Sequence, residues 1–208
     1  VLIAADLCGV NKIYKFGGAH SIAALAFGTE TIKPVDKIVG PGNIYVATAK
    51  KKVYGRVGID SFAGPSEVLI IADQNANPEL VTIDMFAQAE HDELAQAILI
   101  TSSKKLINSV SLKISSLIRN QSRKKIIEKS LSARGLFIKV KKIKEIISIA
   151  DQIAPEHLEI FGYEEIKLET KINNAGAIFI GKNSPEVFGD YCAGPNHVLP
   201  TSGSAKYA

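Results

Sequence analysis

The chain has 208 residues, 46% hydrophobic and 22% charged, with a formal net charge of +4. That composition supplies a substantial core and excludes a disordered tail, a disulfide miniprotein and a collagen-like fibre. No apolar run reaches the ~20 residues that span a bilayer, so no membrane partner is expected. Val1 to Gly9 is short, carries Asp6 and lacks a basic leader, so it does not read as a secretory signal. Cys8 and Cys192 lie near opposite ends and make no disulfide framework, which points to a reducing, cytoplasmic setting.

The chain opens on Val1 rather than Met. It closes on Ser202-Gly203-Ser204-Ala205-Lys206-Tyr207-Ala208, with no closing helix or strand expected there. We therefore expect an internal piece of a longer protein.

Apolar segments alternate between helical and extended patterns, separated by Gly, Pro and Asn. Leu2 to Leu7 reads as the end of a helix stopped near Gly9, and Ile13 to Phe16 as a strand. Gly17-Gly18 opens an alanine-rich helix over Ser21 to Phe27. Lys37 to Val39 is a short strand running into Gly40-Pro41-Gly42-Asn43, with a helix from Ile44 to Tyr54 behind it. Val68 to Ala72 suits a strand buried on both faces. Asn77-Pro78 starts a helix continuing to about His91, with a capping side chain followed by proline in the first turn. Strands follow at Ala97–Ile100, Leu136–Val140, Leu158–Phe161 and Ala177–Ile180. The spacing places helices at Lys104–Ile118 and Arg123–Ser130, and others near Ile143 and Glu165. The alternation predicts an α/β fold, with parallel sheets flanked by helices. Asp60 to Ser66 is the candidate boundary between two such units.

The four histidines, His20, His91, His157 and His197, all fall near element ends, where α/β proteins build their sites. In Gln88-Ala89-Glu90-His91, Gln88 and His91 are three apart and share a helix face, with Asp84 one turn earlier. A carbonyl oxygen and an imidazole so placed form half of a zinc site, or else an ordinary polar helix end. Asp190, after Gly189, offers a third, anionic ligand from a loop, or is simply an aspartate at a turn. Glu156-His157 sets a carboxylate beside an imidazole just before a strand. Adjacent side chains of an extended segment point to opposite sides, so the two would serve different proton transfers, or form a solvated loop pair.

Gly40-Pro41-Gly42-Asn43 leads from strand to helix, so its N–H groups and the helix dipole suit a phosphate, although generic turn glycines explain it equally. Ser66 places a hydroxyl at the mouth of the strand over Val68–Ala72, with no motif that would make it a nucleophile. Lys50-Lys51-Lys52 and the lysines from Lys139 to Lys144 read as exposed charge. Arginines are few and no aromatics are interleaved, so no nucleic-acid partner is expected.

Taken in order, these motifs resemble one family. Ile59-Asp60-Ser61-Phe62-Ala63-Gly64-Pro65-Ser66-Glu67 followed by Gln88-Ala89-Glu90-His91 is similar to the signature of histidinol dehydrogenases. The resemblance extends through Gly17-Gly18-Ala19, Val39-Gly40-Pro41-Gly42-Asn43, Pro155-Glu156-His157-Leu158, Gly189-Asp190-Tyr191 and Asn196-His197-Val198-Leu199-Pro200-Thr201. It implies an oxidoreductase of histidine biosynthesis that converts L-histidinol to L-histidine through the aldehyde, with two NAD.

It further implies a cytoplasmic homodimer with shared active sites, one zinc in each, and parts of two Rossmann-like domains. These would be a cofactor-side domain over residues 1–66 and a second over 67–208 carrying the zinc and acid/base residues. By the resemblance, Gln88, His91 and Asp190 are zinc ligands that also meet substrate. Glu156 and His157 are the catalytic acid/base pair, and His157 and Ser66 touch substrate. Asn43 touches the cofactor, as does His20, which stands where the family usually carries a glutamine. The family's chain runs beyond both ends of this one. Its later part carries a further zinc-ligating histidine and a substrate-binding glutamate, given across the subunit interface. The fragment alone is therefore expected to be incompetent. A zinc-dependent hydrolase using Glu156 or Glu90 as base, and a non-catalytic remnant of the fold, are the alternative readings.

Overall fold

Parallel strands need connections carried across a face of the sheet, and this chain supplies helices for them. The computed structural model describes residues 1–61, 64–163, 166–194 and 198–207. The helix expected near Glu165, and His197, lie outside the described residues. The chain divides into two compact units, Val1–Asp60 and Ser61–Ala208.

The first unit contains α1 (Leu2–Leu7), α2 (Ala19–Phe27), β1 (Lys37–Ile38), α3 (Ile44–Val53) and β2 (Gly58–Ile59). β1 and β2 pair in parallel, and Ile22, Ala26, Ile38, Val53 and Val57 form a small core. The strand expected at Ile13–Phe16 is not formed. Its apolar side chains are exposed, and Tyr14 meets Phe16 edge-on with ring centroids 6.0 Å apart.

Lys50 also departs from its expected exposure. Its ammonium is buried, donating to the Gly40 carbonyl at 2.9 Å and pairing with Asp60 Oδ1. Asp60 Oδ2 in turn accepts the Gly40 N–H at 2.7 Å. Gly40 sits at φ 117°, a conformation that side chains with a Cβ rarely adopt. Asn43 Oδ1 caps α3 by accepting from Tyr45 and Val46 at 3.1 and 3.2 Å. The donors that would have made this turn a phosphate cradle are thus largely committed.

The second unit holds β3 (Glu67–Ala72), α4 (Pro78–Ala89), β4 (Gln96–Thr101), α5 (Lys104–Leu117), α6 (Lys124–Arg134) and β5 (Leu136–Lys139). It continues with α7 (Ile143–Ile153), β6 (His157–Phe161), β7 (Ala177–Ile180) and α8 (Val187–Tyr191). The strands form one parallel sheet in the order β5-β4-β3-β6-β7. Counted within the unit this is 3-2-1-4-5, the winding of Rossmann-type sheets, with the reversal between β3 and β6.

Both central strands are buried at every position. Leu69, Ile71, Leu158 and Ile160 pack with Ile146 and Ala150 of α7 on one face. Val68, Ile70, Ala72 and Phe161 pack with Val81 and Met85 of α4 and Leu106 of α5 on the other. α4 begins as its sequence demands, with Asn77 Oδ1 accepting the Glu79 N–H at 2.9 Å and proline in the first turn. Among the described residues no helix is long and apolar enough to cross a membrane.

Replacing Lys50 by Met would remove the buried ammonium that pairs with Asp60, whose side chain is itself 20% exposed. We expect a loss of about 1 kcal/mol, read as a lower midpoint of chemical unfolding. A midpoint unchanged from wild type would show that the pair is energetically neutral.

Candidate active site

One residue at the start of β3 organises the cluster. The Glu67 N–H donates to Glu156 Oε2 at 3.0 Å, and the Glu67 carbonyl lies 3.2 Å from His157 Nδ1. A carbonyl only accepts, so Nδ1 carries a ring proton, and in the neutral ring the lone pair falls to Nε2. The contact is reciprocal, since the Glu67 carboxyl accepts hydrogen bonds from the backbone of Glu156 and Ser202. Burial pushes the Glu67 carboxyl up, while those two hydrogen bonds and the nearby Arg134 charge oppose the shift.

Glu156 and His157 are 6% and 9% exposed, so they are not a solvated loop pair. Nor do they point apart: His157 Nδ1 is 3.7 Å from Glu156 Oε2. Glu156 occupies a bend just before β6, where the alternation of a strand has not begun. Phe179 of β7 stands beside the imidazole, ring centroids 6.1 Å apart.

Further carboxyls gather behind this pair. Glu186 Oε2 is 3.6 Å from His157 Nδ1, and the Glu186 N–H donates to Glu159 Oε1 at 2.7 Å. Asp84 of α4 shares a side-chain hydrogen bond with Glu159 of β6. Asp84, Glu159 and Glu186 are all buried. Loss of hydration raises all three above the ordinary carboxylate range, Asp84 to about 6 and Glu159 to about 8. Glu186 is held well above its ordinary value, by burial first and then by repulsion from Glu159, Asp84, Glu156 and Asp190.

The residues anticipated from sequence divide between the units. His20 lies in the first turn of α2, exposed, on an open pocket of about 540 Å³ shared with Phe16, Phe27 and Ile32. Asn43 caps α3 in the same unit. Gln88 is buried on α4, one turn beyond Asp84, and its Oε1 has no hydrogen-bond partner among the described residues.

His91 falls past the end of α4 in an exposed turn, so Gln88 and His91 do not share a helix face as anticipated. Its N–H donates to the Gln88 carbonyl at 3.2 Å. Asp190 is on the short helix α8, exposed, rather than in a loop. Ser66 is half-buried immediately before β3, where its carbonyl accepts the Gln96 N–H at 3.0 Å.

Glu67, Glu159 and Glu186 were not singled out from sequence. Only Glu159 carried a signal, a charged residue inside the apolar run Leu158 to Phe161. The cluster sits at the amino-terminal edge of the sheet, beside the β3/β6 reversal, whereas open parallel sheets usually bind ligands at the carboxyl edge.

A metal ion fits part of this set. A buried amide oxygen without a donor is a costly group, and a cation is the partner that would satisfy it. Among the described residues no group of three or more His, Cys, Asp or Glu side chains has metal-holding geometry. The Gln88, His91 and Asp190 set contains only two residues of those types.

A parallel sheet wound 3-2-1-4-5, with a buried imidazole and carboxylate side by side at its amino-terminal edge, defines a Rossmann-type α/β protein. The sequence model of the histidinol dehydrogenase family matches residues 1–208, and the chain belongs to that family. It is 56% identical over 208 residues to histidinol dehydrogenase of Clostridium acetobutylicum, covering 100% of this chain and 48% of the relative. Histidinol dehydrogenase of Lactococcus lactis is 54% identical over 207 residues, with the same shares of 100% and 48%.

The crystal structure of histidinol dehydrogenase from Elizabethkingia anophelis superposes with a TM-score of 0.92 at 42% identity, over 99% of this chain and 48% of that one. Gamma-glutamyl phosphate reductase from Thermotoga maritima, at a TM-score of 0.55 and 13% identity, covers 88% of this chain and 52% of its own; it shares the fold alone. The chain spans about half the length of the curated relatives it matches.

The raised carboxyls set a pH dependence. Unfolded, Asp84 and Glu159 release protons near their ordinary values of 3.8 and 4.5; folded, they hold them to about 6 and about 8. Across that window the folded state binds more protons, so these groups lower stability as pH rises and level off above it. In metal-free full-length protein the unfolding midpoint should fall as pH is raised from about 4.5 to 8, and Glu159→Gln should flatten that slope. An unchanged slope in the variant would contradict the assignment.

Proposed function

We propose that the whole protein oxidises L-histidinol to L-histidine through the aldehyde, in two NAD-dependent steps, as a cytoplasmic zinc-containing homodimer with shared active sites. The observation that carries this reading is the buried Glu156–His157 pair, whose carboxylate and ring tautomer are both set by Glu67. Membership of the histidinol dehydrogenase family supports it.

Gln88, His91 and Asp190 would hold the zinc, with a further histidine from the partner subunit's part of the family chain. The bound zinc would orient and polarise the substrate's heteroatoms, and NAD would take up the hydride of each step. The remaining chemistry belongs to this chain. His157 accepts the alcohol proton at Nε2 while hydride leaves the carbinol carbon, giving the aldehyde.

The Glu67 carbonyl, hydrogen-bonded to Nδ1–H, stabilises the imidazolium that forms. The Glu156 carboxylate takes a proton from water as its oxygen adds to the aldehyde carbon. Loss of a second hydride from the resulting hydrate, with its hydroxyl proton, yields the carboxylic acid. Ser66, at the lip of β3, contacts substrate. In the first unit, Asn43 and His20 contact the cofactor, and the apolar pocket beside His20 suits a flat ring.

Full-length protein with zinc should form two reduced cofactors per histidine, followed by absorbance. His157→Ala should lose about 100- to 10,000-fold in kcat. Glu156→Gln should stall after the first oxidation and yield one reduced cofactor per histidinol consumed. Normal turnover by His157→Ala would remove the base assignment, and histidinol-independent hydrolytic activity would favour a hydrolase.

A further inference from the structure

The elements that carry the candidate groups are separate in sequence, and something must hold them in one arrangement. α4 carries Gln88 and leads to His91, β6 begins at His157 and follows Glu156, and α8 carries Asp190. One side chain touches all three elements. Glu159 lies in the middle of β6, in register with Ile70 of β3 and Phe179 of β7, and is 1% exposed. The two-residue period of the strand puts it on the same face as His157 and Phe161, and Phe161 packs in the layer under α4.

From there its carboxyl hydrogen-bonds Asp84 of α4, one turn before Gln88. Its Oε1 accepts the N–H of Glu186, the residue capping the amino end of α8 four positions before Asp190. Two carboxyls can share a hydrogen bond only if one of them keeps a proton. Glu159 is the more deeply buried of the two, 1% exposed against 8% for Asp84, so loss of hydration disfavours its charged form more and places the shared proton on Glu159.

We infer that Glu159 is a positioning residue: a neutral, buried carboxylic acid that donates to Asp84 and accepts from Glu186, and so sets the spacing between the metal-carrying helices and the strand that bears the acid/base pair. Glu159 itself is neither a proposed zinc ligand nor a proposed acid or base. A hydrophobic residue of similar size would fill the same space but leave α4 and α8 without their tie to β6. A glutamine would keep both contacts, its amide oxygen accepting from Glu186 and its NH2 donating to Asp84. The role is therefore separable from packing and from negative charge.

The inference rests on the reading of Gln88, His91 and Asp190 as zinc ligands, and the test separates the two. Zinc affinity of the full-length protein is measured by competition with a chelator, alongside kcat and KM for L-histidinol. Glu159→Gln should stay within about threefold of wild type in zinc affinity and kcat, whereas Glu159→Leu should lose about 10- to 100-fold in zinc affinity, with kcat falling more than KM changes.

If Glu159→Leu does not fold, Asp84→Ala removes the same tie from the helix side and should show the same loss. Glu159→Leu or Asp84→Ala variants with wild-type zinc affinity and kcat would overturn the inference. So would a Glu159→Gln variant as impaired as Glu159→Leu, since that would demand an anion. Zinc-independent turnover by wild-type protein would instead overturn the ligand reading on which the inference rests.

Discussion

At the seam where the sheet reverses its winding, the peptide group of Glu67 faces the first residues of β6. Its N–H reaches Glu156 and its carbonyl reaches His157, across 89 and 90 residues of sequence. A backbone group in a buried central strand has almost no freedom to shift, because its neighbours are fixed on both sides by the ladder. An imidazole held by such a group has its tautomer decided by the fold rather than by solvent. The carboxylate beside it is likewise presented in one orientation, and its charge is matched by a donor instead of water. The rest of the cluster gathers around this contact, which fixes two adjacent polar residues side by side at the start of β6.

The second constraint is the cost of collecting acids in the interior. Asp84, Glu159 and Glu186 come together where hydration is lost, so the charged forms are disfavoured and protons are retained. The sheet tolerates this in part through the hydrogen bonds that Glu159 makes to Asp84 and to the Glu186 N–H. Glu159 joins a helix, its own strand and the segment leading into α8 in one short network. Burying polar groups in this way sacrifices stability at neutral pH. It gains a fixed geometry at the sheet edge where Gln88 presents an amide oxygen without a donor.

Much of the fold was legible from periodicity. Runs such as Val68–Ala72 and Ala97–Ile100 carry no polar face, and strands buried on both sides have that composition. The helix after Asn77-Pro78 was legible from its cap. Ile13–Phe16 had the same apolar look but no neighbour to pair with, and pairing is not a local property. Lys50 was misread for a similar reason: its burial depends on Asp60, and the sequence run Lys50-Lys51-Lys52 gives no hint of it.

For the candidate site, motif order picked out Glu156, His157 and Gln88, and the structure places all three in buried positions. It did not reveal that Glu156 and His157 face one another, because a bend suspends the alternation that strands obey. By itself the sequence determined the alternating elements, the parallel α/β class and the family, since periodicity, caps and motif order are local properties. Only the tertiary structure decided that Glu67, Glu159 and Glu186 belong with them. Parallel crossovers bring distant segments side by side, and burial gives each carboxyl a protonation state that no stretch of sequence specifies.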